Sequence, residues 1–529
     1  MSQKFKKDFQ PDEALITPNM HKPVSRRDML AQGFKLGAGA VVGSTALGLL
    51  SANAYGDLSP DLLTKLDECE IPLNGSGKIP FICFDLAGGA NFAGSNVLIG
   101  GRGGQLDFLS TAGYGKQGLP GDMVPSSSTA NFIDESLGLR FHTDSAMLRG
   151  ILEKAITAAP ATNGAVIPAR SENDTGNNPH NPMYGINKAG AFGNLVALVG
   201  SRSSDSGGNS MAPAAMIDPA VRPTKVDRPS DVTGLVDVGS LTELLSKDEI
   251  VKVMETMYRV SDKKIARIDT GLTADEQTAV EETLRCQYVK SAHLANTFGN
   301  PADLNPELDL DLVGPNGVFS AAEFASDGEF RKTASVAKMV INGYAGAGTI
   351  TMGGYDYHTG DRATGERRDL RAGRCIGAVL EYAAKVGVPV MIYVCSDGSV
   401  FSNGMLDNSE DGAGKGVWTG DNQQTASAFF LVYNPGGRPQ LLGATMDEQE
   451  THRQIGWMRP SGDVETASSV AANNVNLLVE TVVLNYMALH GEQANFANAD
   501  KFPQNGLGTN LDALTAFQPI CNGVYTNPV

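Results

Sequence analysis

Eight almost uninterrupted apolar residues, Val388-Pro389-Val390-Met391-Ile392-Tyr393-Val394-Cys395, constrain this chain more than any other stretch. A run this short with no polar face predicts a strand buried on both sides, as in a parallel sheet covered by helices. Upstream, Ile376, Val379, Leu380, Ala383 and Ala384 recur at helical spacing, and Gly387 marks the helix end. Before that helix, the small apolar run from Ala345 to Met352 reads as another buried strand. Strand, helix and strand in this order predict an α/β fold with a mostly parallel central sheet flanked by helices.

Both strands end in acidic residues. The first runs into Gly353-Gly354-Tyr355-Asp356-Tyr357-His358 and the second into Ser396-Asp397-Gly398. Asp356 and His358 stand two apart, so in extended chain both side chains leave on one face. A carboxylate beside an imidazole can hold a divalent metal or act as an acid–base pair. Open α/β sheets bind ligands at the carboxyl ends of their strands, so Asp356, His358 and Asp397 are the candidate metal ligands. The bland alternative is that Asp356 and Asp397 only cap the helices or turns after them.

A third strand is expected at Lys78 to Leu86, parallel to Val388–Cys395 and close to it. It breaks at a glycine-rich turn running from Ala87 to Asn96. That turn has no Walker or G-x-G-x-x-G pattern, so nucleotide binding lacks support. Ser95 is a candidate nucleophile, although G-x-S-x-G is missing as well. Residues 100–136 read as a long loop, 145–159 as a helix and 163–168 as a strand. His142 and His180 are read as structural. Residues 241–298 form two long helical stretches, the second opening on the capping pattern Thr273-Ala274-Asp275-Glu276. This predicts a helical insertion at about 240–300 in one large α/β domain spanning 55–529. Another helix is expected over 321–344. Later, 428–433 and 440–444 suggest a hairpin over Asn434-Pro435-Gly436-Gly437, and 464–489 a long helix. Asp407-Asn408-Ser409-Glu410-Asp411-Gly412 begins like a calcium loop, but Trp418 stands where the bidentate Glu belongs. Arg362, Arg367, Arg368, Arg371 and Arg374 could face an anionic substrate or form an exposed helix start.

The first 54 residues carry Arg26-Arg27, a weakly apolar Gly/Ala run from Leu36 to Leu50, and Ala52-Asn53-Ala54. This resembles a twin-arginine export signal with its cleavage site, too short and glycine-rich for a membrane span. It implies the twin-arginine translocase as a partner, a periplasmic or extracellular location, and no permanent membrane anchor. The net charge of −17 becomes more acidic once that basic leader is removed. An acidic chain gains nothing from phosphate counterion release, which excludes nucleic acid as a partner. The six cysteines show no C-x-x-C spacing; some could pair in an oxidising compartment, while Cys83 and Cys395 read as buried free thiols.

Taken together, these stretches resemble a largely uncharacterised family of twin-arginine-exported bacterial proteins, distantly similar to the alkaline phosphatase/sulfatase superfamily. The matching features are the glycine turn from Leu86 to Asn91, Leu137 to His142, Gly353 to His358, and Ser396-Asp397-Gly398 with Asn403 downstream. The resemblance implies an alkaline phosphatase-like sheet with metal at its strand ends, held by Asp356, His358 and Asp397. It further implies zinc, calcium or magnesium as cofactor and a small anionic ester as substrate. Ser95 or a metal-bound hydroxide would be the nucleophile, with Asn91 standing where relatives often have Asp or Ser. The superfamily's later Asp-His pair is absent: residues 416–421 end in Asp421 with no histidine. Two functions are compatible with this pattern. One is an exported metal-dependent hydrolase of phosphate- or sulfate-type esters; the other is a catalytically degenerate envelope binding or assembly protein that keeps the fold.

Overall fold

The computed structural model describes residues 58–69, 77–126, 132–171, 178–235, 247–268, 271–297 and 301–525. The leader with Arg26, Arg27 and Ala52-Asn53-Ala54 lies outside them. The strands are β1 (Phe81–Ala87), β2 (Ile133–Leu137), β3 (Leu139–His142), β4 (Thr162–Pro168), β5 (Val196–Gly200) and β6 (Thr224–Lys225). They continue as β7 (Ala345–Gly353), β8 (Val390–Ser396), β9 (Val400–Asp407), β10 (Lys415–Asp421) and β11 (Ser427–Tyr433). The helices that matter here are α1 (Pro60–Glu68), α2 (Ala146–Lys154), α3 (Lys247–Ile265), α4 (Ala274–Thr297), α5 (Gly328–Ile341), α6 (Ala363–Val386) and α7 (Val475–Leu489).

Seven strands form one sheet in the order β4-β11-β8-β1-β7-β5-β6. The expected neighbours pair directly: β1 lies parallel to β8, with Asp85 opposite Cys395, and parallel to β7 on its other side. Every residue of β8 is buried, as its apolar sequence requires. Cys83 and Cys395 are fully buried free thiols, their sulfurs 3.9 Å apart. Helix α6 stops at Gly387, whose φ of 78° is the left-handed C-terminal conformation that glycine adopts without strain.

One expectation fails at β11. No hairpin forms over 434–437; β11 inserts antiparallel between β4 and β8. Ser427–Tyr433 is buried at every position, so it needs partners on both edges, and a terminal hairpin would supply only one. The helix expected over 464–489 begins only at Val475, because the Asn474 side chain caps it by accepting from the backbone N–H of Asn476 and Leu477. α7 is apolar on nearly all sides and lies in the core, where Tyr486 meets Phe81 edge-to-face at 5.7 Å. The loop expected over 100–136 contains a short helix, Thr111–Lys116, and the strand β2.

The chain divides into two compact units, one drawn from Met1–Ile71 and Leu235–Pro301, the other from Pro72–Gly234 and Ala302–Val529. The smaller contains α1, α3 and α4. Glu276 accepts from the Thr273 backbone at 3.0 Å, so the capping pattern read in the sequence is present. A disulfide joins Cys69 to Cys286 and ties the end of α1 to α4. Among the described residues no helix is long and apolar enough to cross a membrane.

Candidate metal centre

The loop after β7 continues the strand's alternation. Tyr355 and Tyr357 are buried, while Asp356 and His358 reach the surface. Tyr355 N–H donates to the Ala87 carbonyl at 3.0 Å, its hydroxyl donates to the Arg368 carbonyl at 2.9 Å, and the Tyr357 hydroxyl accepts from Asn91 N–H. Gly88 makes this path available. Its φ is +139°, and an added Cβ would stand 2.0 Å from the Asp356 backbone nitrogen. Any other residue at 88 would push the Asp356 loop outward.

Beyond His358 the loop runs against β10: Gly360 N–H donates to the Trp418 carbonyl and Trp418 N–H to the Asp361 carbonyl. That pairing carries the far end of β10 to the histidine. His358 Nε2 lies 2.6 Å from Asp356 Oδ1 and 3.6 Å from Asp421 Oδ1. One ligand atom from each of the three residues falls within 4.8 Å of the others. Two carboxylates and an imidazole are a donor set suited to zinc or to a harder divalent ion, and three protein ligands leave coordination positions open. Ligands about 2.0–2.2 Å from one ion stand roughly 3.3–3.6 Å apart, so the His358–Asp421 separation fits and Asp356 must move outward slightly.

Asp397, expected as the third ligand, is placed elsewhere. It is fully buried, its Oδ1 accepts from Gly88 N–H at 2.7 Å and its Oδ2 from the Asn209 amide at 2.8 Å. Asp85 is buried beside it, receiving the backbone N–H of Asn209 and Ser210 at 2.6 and 2.9 Å and the Ser210 hydroxyl at 2.9 Å. Burial pushes the Asp85 carboxyl up, against the pull of those donors. The loop over 201–210 thus satisfies strand-end acids that would otherwise line a ligand crevice. Asp421, and not Asp397, is the second acid standing beside Asp356 and His358.

Neither expected catalytic residue is open to solvent. Ser95 is fully buried and its hydroxyl has no hydrogen-bond partner among the described residues. The Asn91 amide donates to Gln117 at 2.9 Å and to the Val400 carbonyl at 2.7 Å. His142 and His180 are buried, and burial pushes both imidazoles down to about 4. Asp407 closes no calcium loop. Its Oδ2 accepts from the backbone N–H of Arg362 and Ala363 at 2.9 and 3.1 Å, capping the start of α6, and its own turn through Ser409 holds its pKa low.

A buried charge network locks β10 to α6 beneath the cluster. Arg362 pairs with Glu366 at 2.7 Å and lies 4.3 Å from the centre of the Trp418 ring, while Lys415 pairs with Glu366 at 2.9 Å. Burial alone would raise the Glu366 pKa, but Arg362 and Lys415 outweigh it and hold it below the usual range. Asp369, next to this network, accepts from Asn96 at 2.8 Å and lies 3.4 Å from the Tyr357 hydroxyl. Burial pushes its carboxyl up to about 7, against the Asn96 hydrogen bond. The folded protein therefore keeps a proton that the unfolded chain loses near pH 4, and stability falls as pH rises from about 4 to about 7, then levels. Asp369→Asn is expected to gain on the wild type by about 2–3 kcal/mol between pH 5 and pH 8 in urea titrations. A difference constant with pH would show that Asp369 is ionised throughout.

Asp421 was the residue hidden from sequence reasoning. Its one signal was its place as the lone acid of residues 416–421. No family model, curated protein or solved structure matches this chain.

Proposed function

We propose that this is an exported, divalent-metal-dependent hydrolase of phosphate- or sulfate-type esters, built on an alkaline phosphatase-like sheet. The carrying observation is the convergence of Asp356, His358 and Asp421 within 4.8 Å, where the loop leaving the carboxyl end of β7 meets the end of β10. A divalent ion bound there supplies Lewis acidity toward an ester oxygen. The chain's own contribution is placement: β7 and Gly88 aim Asp356 and His358 outward, and β10 brings Asp421 to meet them. With Ser95 and Asn91 buried, water is the nucleophile in this reading. The Cys69–Cys286 disulfide supports export, since such bonds persist in oxidising compartments.

The burial of Ser95 and Asn91 also favours a second reading, a catalytically degenerate binding or assembly protein that retains the fold. One experiment separates the two. Mature protein is stripped with chelator, reloaded with zinc, magnesium or calcium, and assayed on aryl phosphate, phosphodiester and sulfate esters. Hydrolysis restored by one metal and abolished by His358→Ala supports the hydrolase. Absence of turnover with every metal supports the binding protein, and a chain that takes up no metal overturns the hydrolase.

A further inference from the structure

We propose that the cavity between the carboxyl end of α7 and the C-terminal segment binds a primary ammonium group carried on a short aliphatic chain. The cavity measures about 360 Å³ and is lined by residues of the larger unit alone. None of them belongs to the Asp356–His358–Asp421 cluster, so the inference stands apart from the hydrolase reading. A space of this size holds a small organic molecule. Leu442, Phe517, Pro519 and Ala488 supply an apolar wall, and the polar side chains are His452, Gln493, Asp512 and Thr515.

The hydrogens of those polar side chains are already committed. Thr515 donates its hydroxyl hydrogen to the Leu511 carbonyl at 3.0 Å. Gln493 spends its two amide hydrogens on Thr515 Oγ1 at 2.8 Å and on Asp512 Oδ1 at 3.0 Å. His452 Nδ1 stands 2.7 Å from the Thr515 carbonyl, which can only accept. The ring hydrogen therefore lies on Nδ1, and the neutral ring offers Nε2 as an acceptor. What remains among these side chains is the other carboxylate oxygen of Asp512, the amide oxygen of Gln493 and His452 Nε2. All three accept and none donates. A carboxylate set among neutral acceptors suits a cation that carries several N–H donors, which is what a primary ammonium is.

Two further features select a cation over a neutral donor such as a polyol. Ala488 is the last residue but one of α7, a helix of 15 residues, so the cavity opens beside the negative end of its dipole. No Lys or Arg lines the space, and the chain as a whole carries a net charge of −17, which draws cations toward it. The apolar wall then covers the carbons that follow the ammonium.

The test uses the full mature chain and three probes of equal alkyl length: butylammonium, butyltrimethylammonium and n-butanol. Ligand-observed NMR at low ionic strength reads the dissociation constants. Butylammonium is expected to bind about tenfold more tightly than either of the others, since it alone brings both charge and N–H donors. Asp512→Asn should weaken butylammonium about tenfold, whereas Asp500→Asn, the same loss of charge outside the cavity, should stay within about twofold of wild type. Ala494→Phe, which fills the cavity from an exposed position, should abolish binding. Asp512, Asp500 and Ala494 are all exposed, so the variants should keep the wild-type Tm. Failure of butylammonium to bind overturns the proposal, as does equal affinity for butyltrimethylammonium or n-butanol. A loss in Asp512→Asn no larger than in Asp500→Asn would assign the attraction to net charge, and full binding by Ala494→Phe would place it elsewhere; either result also overturns the proposal.

Discussion

His358→Ala and Asp421→Ala are each expected to lower zinc affinity on the order of 100-fold or more, whereas Asp397→Asn should leave it near wild type. The contrast arises from what each side chain is already doing. His358 and Asp421 come from different elements and present ligand atoms 3.6 Å apart at the surface. Asp397 is buried with both oxygens accepting protein N–H donors. Its conversion to Asn turns one acceptor into a donor facing either Gly88 N–H or the Asn209 amide, and should cost about 1–3 kcal/mol of stability. Competition against a chromophoric chelator reads the affinities, and thermal unfolding reads the stability. Loss of zinc from Asp397→Asn with retention by Asp421→Ala would restore the ligand set expected from the sequence and sink the one drawn from the structure.

The second large effect concerns Lys415, whose side chain is 1 % exposed and paired with Glu366, itself 7 % exposed. Lys415→Met removes one cation from the buried network, leaving Glu366 with Arg362 alone and Asp144, 3.3 Å from the ammonium, without its partner. Breaking a buried pair from one side costs about 3–5 kcal/mol, because the surviving charge keeps its desolvation penalty. Adding Glu366→Gln should recover part of that loss, since a neutral amide can still accept from Arg362 and no longer needs the ammonium. Urea unfolding monitored by tryptophan fluorescence suits the measurement, as Trp418 and Trp457 both belong to the larger unit. A single variant as stable as wild type would show that solvent reaches Lys415. A double variant no better than the single would show that packing, and not charge, is what Lys415 provides.

The central sheet was legible because burial on both faces leaves a direct trace in sequence. Val390–Ser396 has no polar alternation to misread, and its neighbour β1 carries the same signature. The outward aim of Asp356 and His358 was legible for the complementary reason, since Tyr355 and Tyr357 alternate with them. β11 was misplaced because a turn signal such as Asn434-Pro435-Gly436-Gly437 says where a strand ends and nothing about which strands it will join. Asp397 was misassigned because its partners, Gly88 and Asn209, are 309 and 188 residues away in sequence. Asp421 escaped for a similar reason: it reaches His358 through pairing between Gly360 and Trp418, a contact with no local periodicity. Secondary structure comes from short-range pattern, while the contents of a site depend on which loops happen to fold back.

The bond between Cys69 and Cys286 gives the polypeptide a topology that its linear order conceals. The two sulfurs are 217 positions apart, and most of the intervening chain belongs to the larger unit. The molecule from 69 to 286 is therefore a covalent ring with two tails. A peptide bond cut anywhere between Pro72 and Gly234 opens the ring but releases nothing, and the pieces travel as one species until a reductant is added. Should a protease reach that long arc, a nick there is damage without dissociation.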